Sequence, residues 1–321
     1  MMEAQDVVYP DWINKASSLA YPILGKLMGW SLSHIKKVIL ESYSITEQES
    51  ERIVNISQRT PGWYKVRNGW VDVEKQIFRG SLVSSSVVGK ILGHEGNYGP
   101  PDLYEDGTES LYGMLFRTQR GTAAEPLTQQ EFLIVLRAHL GPTVVLSADG
   151  GDEVGIKINP DLPYCGASID SKLHMLDTRT LEYTTAGLEM KARGTIDAQP
   201  PQWIPKNYYD QLAISMFIYK WQQYWFVFHS NATFSVESYE FDEAQWYRNL
   251  EIVDAWYWGN YWPTLVLAHS KKLQFGANDA FGFQLTFSDE RKDAEMVFGW
   301  AKKNELIDYL WLCTGAPKMP Q

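Results

Sequence analysis

The stretch GLEMKAR at residues 187–193 decides how the chain is read. As an extended strand it sends Glu189 and Lys191 to one face and Leu188 and Met190 to the other. The apolar pair can pack under a helix, and the polar pair can do chemistry. A carboxylate can hold a hard divalent cation. An ammonium group two residues on can orient a water and offset the negative charge that develops during phosphodiester cleavage. Any half-buried strand with a solvated polar face alternates in the same way, so the neighbouring segments must choose between the two readings.

Immediately upstream, residues 154–158, 164–169 and 183–192 carry strand signals, with YCGASI at 164–169 small and apolar. Asp170 falls at the end of the second of these runs. With Ser171 and Lys172 following, it has the look of a turn residue. Glu189, however, lies downstream on what the pattern predicts to be the adjoining strand of a hairpin, and two acids at neighbouring strand positions can share a metal. Downstream, PPQWIP at 200–205 reads as a rigid loop, and residues 207–219 as a helix that brings Tyr208, Gln211 and Leu212 close together on one side.

Further out, 111–140 has a helical pattern broken by the step GTAAEP at 121–126. Glu125 sits there among small residues, either as an exposed helix residue or as part of a site beneath the sheet. In SQRTPGWYKVRNG at 57–69, Thr60-Pro61 marks a helix start, after which Trp63, Val66 and Arg67 share a face. GSLVSSSVVGKILG at 80–93 places a serine cluster, Ser84 to Ser86, ahead of a helical run. Such a cluster caps a helix, and exposed N–H groups there suit phosphate. Residues 94–106 read as an exposed loop. Residues 1–56 read as helical, 224–229 and 234–241 as strands, 242–258 as a helix with Asp242 as N-cap, and 289–312 as a C-terminal helix without evident chemistry.

At 321 residues, the chain can bury a sizeable core. Its formal net charge of -10 argues against coating nucleic acid or anionic membrane by bulk charge, but leaves room for a local basic groove. Cys165 and Cys313 form no CxxC pair, so a disulfide framework and a cysteine zinc site are not indicated, and both are expected reduced and buried. The opening residues, with Glu3 and Asp6, lack a secretory pattern, and no apolar run is long enough to span a bilayer. The expectation is an intracellular protein, without a membrane partner, whose 13 Trp serve chiefly as core.

In chain order these segments are a helix with Glu125, a strand ending in Asp170, a strand with Glu189-x-Lys191 and a helix with Gln211. This order resembles the PD-(D/E)xK nuclease superfamily. More narrowly, SQRTPGW, the serine cluster, RGTAAEP at 120–126, GASID at 166–170, GLEMK and YYDQLAISM at 208–216 are similar to the YqaJ or lambda-type alkaline exonucleases, common in phages and large DNA viruses. The resemblance covers roughly residues 57–228.

The resemblance implies an α/β fold, with a central mixed β-sheet flanked by helices. A nuclease core at 57–260 would lie between helical extensions at 1–56 and 261–321. It implies one or two Mg2+ or Mn2+ ions held by Asp170, Glu189 and the Met190 carbonyl, with Glu125 reaching them directly or through water. Lys191 would orient the attacking water, Gln211 would help hold it, and Arg67 and Ser86 would contact the 5'-phosphate of a DNA end. Arg193 and Tyr208, with Lys65 and Lys206, are candidates for the DNA groove. The implied activity is 5'-3' digestion of one strand at duplex DNA ends, leaving 3' single strands for a single-strand annealing protein, by an oligomer that encircles DNA. Where the family has Pro-Asp-Gly, this chain has Ile169-Asp170-Ser171: the acid is kept and the tight turn is not. An endonuclease of the same superfamily, a glycoside hydrolase, and a DNA-end-binding module without activity are the rival readings.

Overall fold

Three helices open the chain, and their ends fall where capping chemistry puts them. Helix α1 (Asp11–Met28) stops at Gly29, whose left-handed backbone returns its N–H to the Leu24 carbonyl. Helix α2 (Leu32–Tyr43) starts on Ser31, which accepts from the His34 N–H. Helix α3 (Glu47–Val54) starts on a reciprocal Thr46–Glu49 capping box. Helix α4 (Pro61–Asn68) begins as Thr60-Pro61 predicts, with the Thr60 hydroxyl accepting from the Trp63 N–H. It ends at Gly69, where φ is +71° and a side chain would meet the Arg79 carbonyl at 2.2 Å, so glycine is required there. The computed structural model describes residues 9–58, 60–94, 111–149, 154–193, 204, 206–230, 234–270, 274–276 and 284–286.

A hairpin of β1 (Trp70–Asp72) and β2 (Ile77–Arg79) follows, then α5 (Ser85–Ile91) and the long α6 (Leu111–Leu140). Strands come next: β3 (Val144–Ala148), β4 (Lys157–Asn159), β5 (Leu162–Ala167), β6 (Ser171–Asp177) and β7 (Glu182–Arg193). Helix α7 (Lys206–Tyr219) crosses over to β8 (Gln223–Ser230), which β9 (Phe234–Glu240) flanks. Helix α8 (Glu243–Trp256), capped by Asp242, runs through a π turn at Tyr257–Tyr261 into α9 (Trp262–Ser270). A short hairpin, β10 (Gln274–Gly276) and β11 (Gln284–Thr286), comes last.

The central sheet has five strands in the order β3-β6-β7-β8-β9. Only β7 and β8 run parallel, so the sheet is mixed, and α7 is the crossover that such a pair needs. Helix α6 covers one face: Phe132 and Leu136 pack on Leu146, Leu173, Leu188, Met190 and Val227. Helix α7 covers the other, with Leu212 and Met216 against Ile169, Tyr224 and Phe226. A larger third cluster joins α1 and α2 to α8, α9, β2, β5 and α5. No helix among the described residues is long and apolar enough to cross a membrane.

The expected strand at 164–169 is present as β5, but it pairs with β4 in a separate ribbon rather than with β7. The antiparallel partner of β7 is β6, a run for which no strand was expected, and Asp170 therefore heads a strand instead of ending one. Strand β3 was also unread, and α6 runs through Pro126 as one helix. The expected helix at 289–312, the loop at 200–205 apart from Ile204, and Cys313 lie outside the described residues. Cys165 is free and fully buried, and burial pushes its thiol well above its ordinary value, which makes it inert.

The third cluster contains a polar bolt. The Tyr164 hydroxyl donates to Asp254 Oδ1, and the other Asp254 oxygen pairs with Lys15 Nζ at 2.6 Å. Asp254 is 4 % exposed, so this bolt ties α1 and β5 to α8 in a desolvated setting. Asp254→Ala strands the buried Tyr164 phenol, while the part-exposed Lys15 keeps Glu251 as a partner, and should cost about 1–3 kcal/mol. Urea denaturation checks this, and a midpoint unchanged from wild type would contradict it.

Candidate active site

Strand β7 alternates as its sequence predicts: Leu188 and Met190 face α6, and Glu189 and Lys191 face α7. The β6–β7 register pairs Ser171 with Leu188, which sets Asp170, one residue earlier, beside Glu189. The Met190 N–H donates to Asp170 Oδ2 at 2.7 Å and holds that carboxylate at the head of its strand. Lys191 Nζ is ion-paired with Glu189 Oε1, and Gln211 Nε2 donates to the same oxygen at 2.5 Å. Tyr208, one turn before Gln211 on α7, lays its ring 5.3 Å from Lys191 Nζ and is backed by Phe226 at 5.3 Å. Asp170, Glu189, Lys191, Gln211 and Tyr208, all named from the sequence, thus share one end of the sheet.

Glu189 is 2 % exposed, while the Lys191 side chain keeps 29 %, so the niche is closed behind the glutamate and open toward the lysine. Burial, and then the Asp170 carboxylate, push the Glu189 carboxyl up to about 7 against the opposite pull of Lys191 and Gln211. Burial works to lower the Lys191 ammonium, but Glu189 and Asp170 outweigh it and hold it above its ordinary value. Two carboxylates repelling each other in a desolvated niche, with only oxygen donors, are what a hard divalent cation takes. Mg2+ or Mn2+ would suit such donors, and Asp170 and Glu189 are the side chains that could hold one.

Glu125 is carried by α6. Among the described residues, no three of His, Cys, Asp or Glu are gathered closely enough to hold a metal, so the expected third carboxylate does not join the pair. Helix α6 lies on the opposite face of the sheet. Its Gln129 amide reaches Ser171 Oγ at 2.7 Å, and Thr128 meets His229, the partner of Ala192 near the end of β7. Glu125 is about one turn before Gln129 on the same helix and half-buried.

Arg67 lies on α4, its guanidinium 4.9 Å from the centre of the Trp63 ring, and burial lowers its pKa from the ordinary value. The helix is pinned to the segment that leads into Asp170. Trp63 Nε1 donates to Ser168 Oγ at 3.2 Å, and Gln58 Nε2 donates to the Ile169 carbonyl at 3.0 Å. Arg67 lines a cleft of about 200 Å³ together with Tyr64, Ser81, Ser84, Trp256 and Tyr261. Ser86 falls in the first turn of α5 and Arg193 closes β7; their side chains lie outside the described residues. Lys65 and Lys206 are exposed.

Gln58, Gln129 and Tyr224 were not singled out in the sequence, nor were Trp256 and Tyr261. The run WYWGNYW at 256–262 was the available signal for the last two. Tyr224 had none, because its role depends on β7 and β8 pairing Gly187 with it.

No protein-family model matches the chain, and no curated protein does. Among solved structures, the chain is similar to an alkaline exonuclease, LHK-Exo, from Laribacter hongkongensis. The TM-score is 0.42 at 18% identity, covering 66% of this chain and 97% of that one. The same enzyme in complex with dAMP gives 0.39 at 19% identity, covering 62% and 91%. Both likenesses are too loose to assign a role to any residue, and the case for a function rests on the geometry of the niche.

A cation bound only by the folded niche must stabilise the fold, by about 2.7 kcal/mol at a hundredfold excess over its dissociation constant. Calorimetric melting should therefore shift upward with Mn2+ in the wild type and not in Asp170→Asn. A full shift retained in the variant would remove Asp170 from the ligands.

Proposed function

We propose that this chain is a divalent-cation-dependent DNA nuclease that digests one strand of duplex ends in the 5'-3' direction. The observation that carries the reading is the joining of Asp170, Glu189 and Lys191, with Gln211 behind them, at one open end of the sheet. When bound by Asp170 and Glu189, the ion supplies the Lewis acidity that phosphodiester hydrolysis requires. The Met190 carbonyl, and Glu125 through water, are proposed to complete its shell. Lys191 keeps its positive charge throughout, because the two carboxylates raise its pKa. Its ammonium, steadied over Tyr208, orients the attacking water and meets charge on the phosphate. Gln211 keeps the Glu189 carboxylate turned toward the opening.

The glycoside hydrolase reading is disfavoured by the ion pair on Glu189. Paired sugar-cleaving carboxylates work across a gap of roughly 5 Å or more and give a lysine no part. The exonuclease reading predicts that end-labelled linear duplex is degraded with Mg2+ or Mn2+ and spared in EDTA, while covalently closed circles survive. Cleavage of the circles would make the enzyme an endonuclease, and no cleavage of either would leave a binding module. Lys191→Ala should lower the rate by about two to three orders of magnitude, and Asp170→Ala and Glu189→Ala by at least as much. Circular dichroism should confirm that each variant is folded.

Polarity is assigned to Arg67 and Ser86. A terminal phosphate carries more charge than an internal diester, and a planar guanidinium favours it. Digestion should therefore be fastest on 5'-phosphorylated ends. Arg67→Ala should lose about 1.5–3 kcal/mol on those ends, a factor of about ten to a hundred in rate, while Mn2+ binding is retained. Equal rates on 5'-hydroxyl and 5'-phosphate duplexes, or first release of label from 3' ends, would refute the assignment.

A further inference from the structure

The cleft beside α4 has two chemically distinct walls. One is polar, with the half-buried Arg67 guanidinium over Trp63 and the residues Ser81 and Ser84. The other is aromatic. Tyr64, 47 % exposed, comes from α4 itself, while Trp256 and Tyr261 come from the end of α8 and the π turn. The Trp256 and Tyr261 rings lie nearly parallel, 5.3 Å apart at 5°.

Tyr261 is rigidly held. Its hydroxyl accepts from the Ser81 N–H at 2.9 Å, and its ring fills the space over Gly80, where a Cβ would come within 2.6 Å. The half-buried Trp256 therefore has a fixed ring at its back, against which it is supported. A phosphate alone would use only the arginine wall, and an apolar ligand only the aromatic one. A nucleotide uses both, and a partly open cleft of about 200 Å³ can seat part of one such unit but not a run of them.

Resting on the nuclease reading and on Arg67 as its phosphate contact, we propose that the cleft takes the 5'-terminal nucleotide of a DNA strand. The phosphate lies on Arg67 and the base stacks against Trp256. The aromatic wall then senses whether the end carries a base, which the carboxylate niche does not test. The Trp63–Ser168 bond ties the helix bearing Arg67 to the segment that leads into Asp170, so a nucleotide held here is anchored to the frame of the niche.

The test is binding of fluorescently labelled, 5'-phosphorylated duplex, measured by anisotropy with divalent cation withheld. The first nucleotide is either intact or abasic. Wild type should bind the intact end about tenfold more tightly, the usual worth of one stacked base. Trp256→Ala and the bulkier Trp256→Leu, checked by thermal melting, should bind both ends alike. Arg67→Ala should weaken both and keep the ratio between them. Equal wild-type affinity for intact and abasic ends overturns the proposal, as does undiminished discrimination in either folded Trp256 variant. Hydrolysis of the same duplex with Mg2+ is scored separately. Cleavage without base discrimination removes the base site alone, and base discrimination without cleavage removes the nuclease reading alone.

Discussion

A carboxylate that is 2 % exposed is the constraint on which the rest of the fold depends. Left unpaired, Glu189 could stay charged only at a cost of several kcal/mol and would otherwise take up a proton. Lys191 and Gln211 must therefore reach it, and both depend on the path of the chain. Lys191 shares its face of β7 by strand alternation. Gln211 arrives only because the parallel β7–β8 pair demands a crossover helix and α7 lies on that same face. Gly187 allows the close fit beneath: a Cβ there would lie 2.2 Å from the Tyr224 ring. The same register sets the Asp170 carboxylate beside Glu189, and that repulsion, with burial, works against the pull of Lys191 and Gln211.

Much of this niche was legible in the sequence, because strand alternation and helix spacing are local. GLEMK fixes which residues share a face, and the spacing of Tyr208 and Gln211 fixes that they act together. The helix caps at Thr46, Thr60 and Asp242 were equally readable, since each satisfies its own backbone within a few residues. Pairing was not. SKLHMLD at 171–177 alternates poorly, with Ser171 buried and the residues from His174 to Asp177 only half-buried. Its small polar start resembles a turn, and only β3 and β7 on either side make it a strand. The apolar β5 looked the better partner for β7 but is taken up by β4, and by a bridge between Val83 and Cys165. Asp170 was thus identified correctly as a neighbour of Glu189 on the wrong strand.

The helical layer at the two ends of the described chain has more than a packing part. Helices α1 and α2 support α8 and the π turn through Tyr43, Tyr257 and Trp258, whose rings lie edge to face around 5 Å apart. The Tyr43 hydroxyl reaches the Tyr257 hydroxyl at 2.9 Å and accepts from the Gly80 N–H at 2.9 Å. That contact carries the position of the helical layer to the loop at Gly80 and Ser81, and so to the cleft. The π turn itself spends an extra residue per turn just where Trp256 and Tyr261 come to stack, and such turns often mark sites rather than scaffolds.

Charge explains why recognition must be local. With a net charge of -10, the chain as a whole would repel a nucleic acid that comes near, and beyond a Debye length of about 8 Å that repulsion is largely screened. Lys191 adds little to long-range attraction, because Glu189 and Asp170 hold its field within the niche. Arg67 is different in kind: it is partly desolvated over an aromatic ring, and in the proposed reading a phosphate in direct contact with it would be held more strongly than by an exposed cation. A cation of that sort does not gather nucleic acid from solution. In the proposed reading it would distinguish a correctly seated end from a backbone merely passing by, and the net negative charge would sharpen the distinction by penalising other modes of approach.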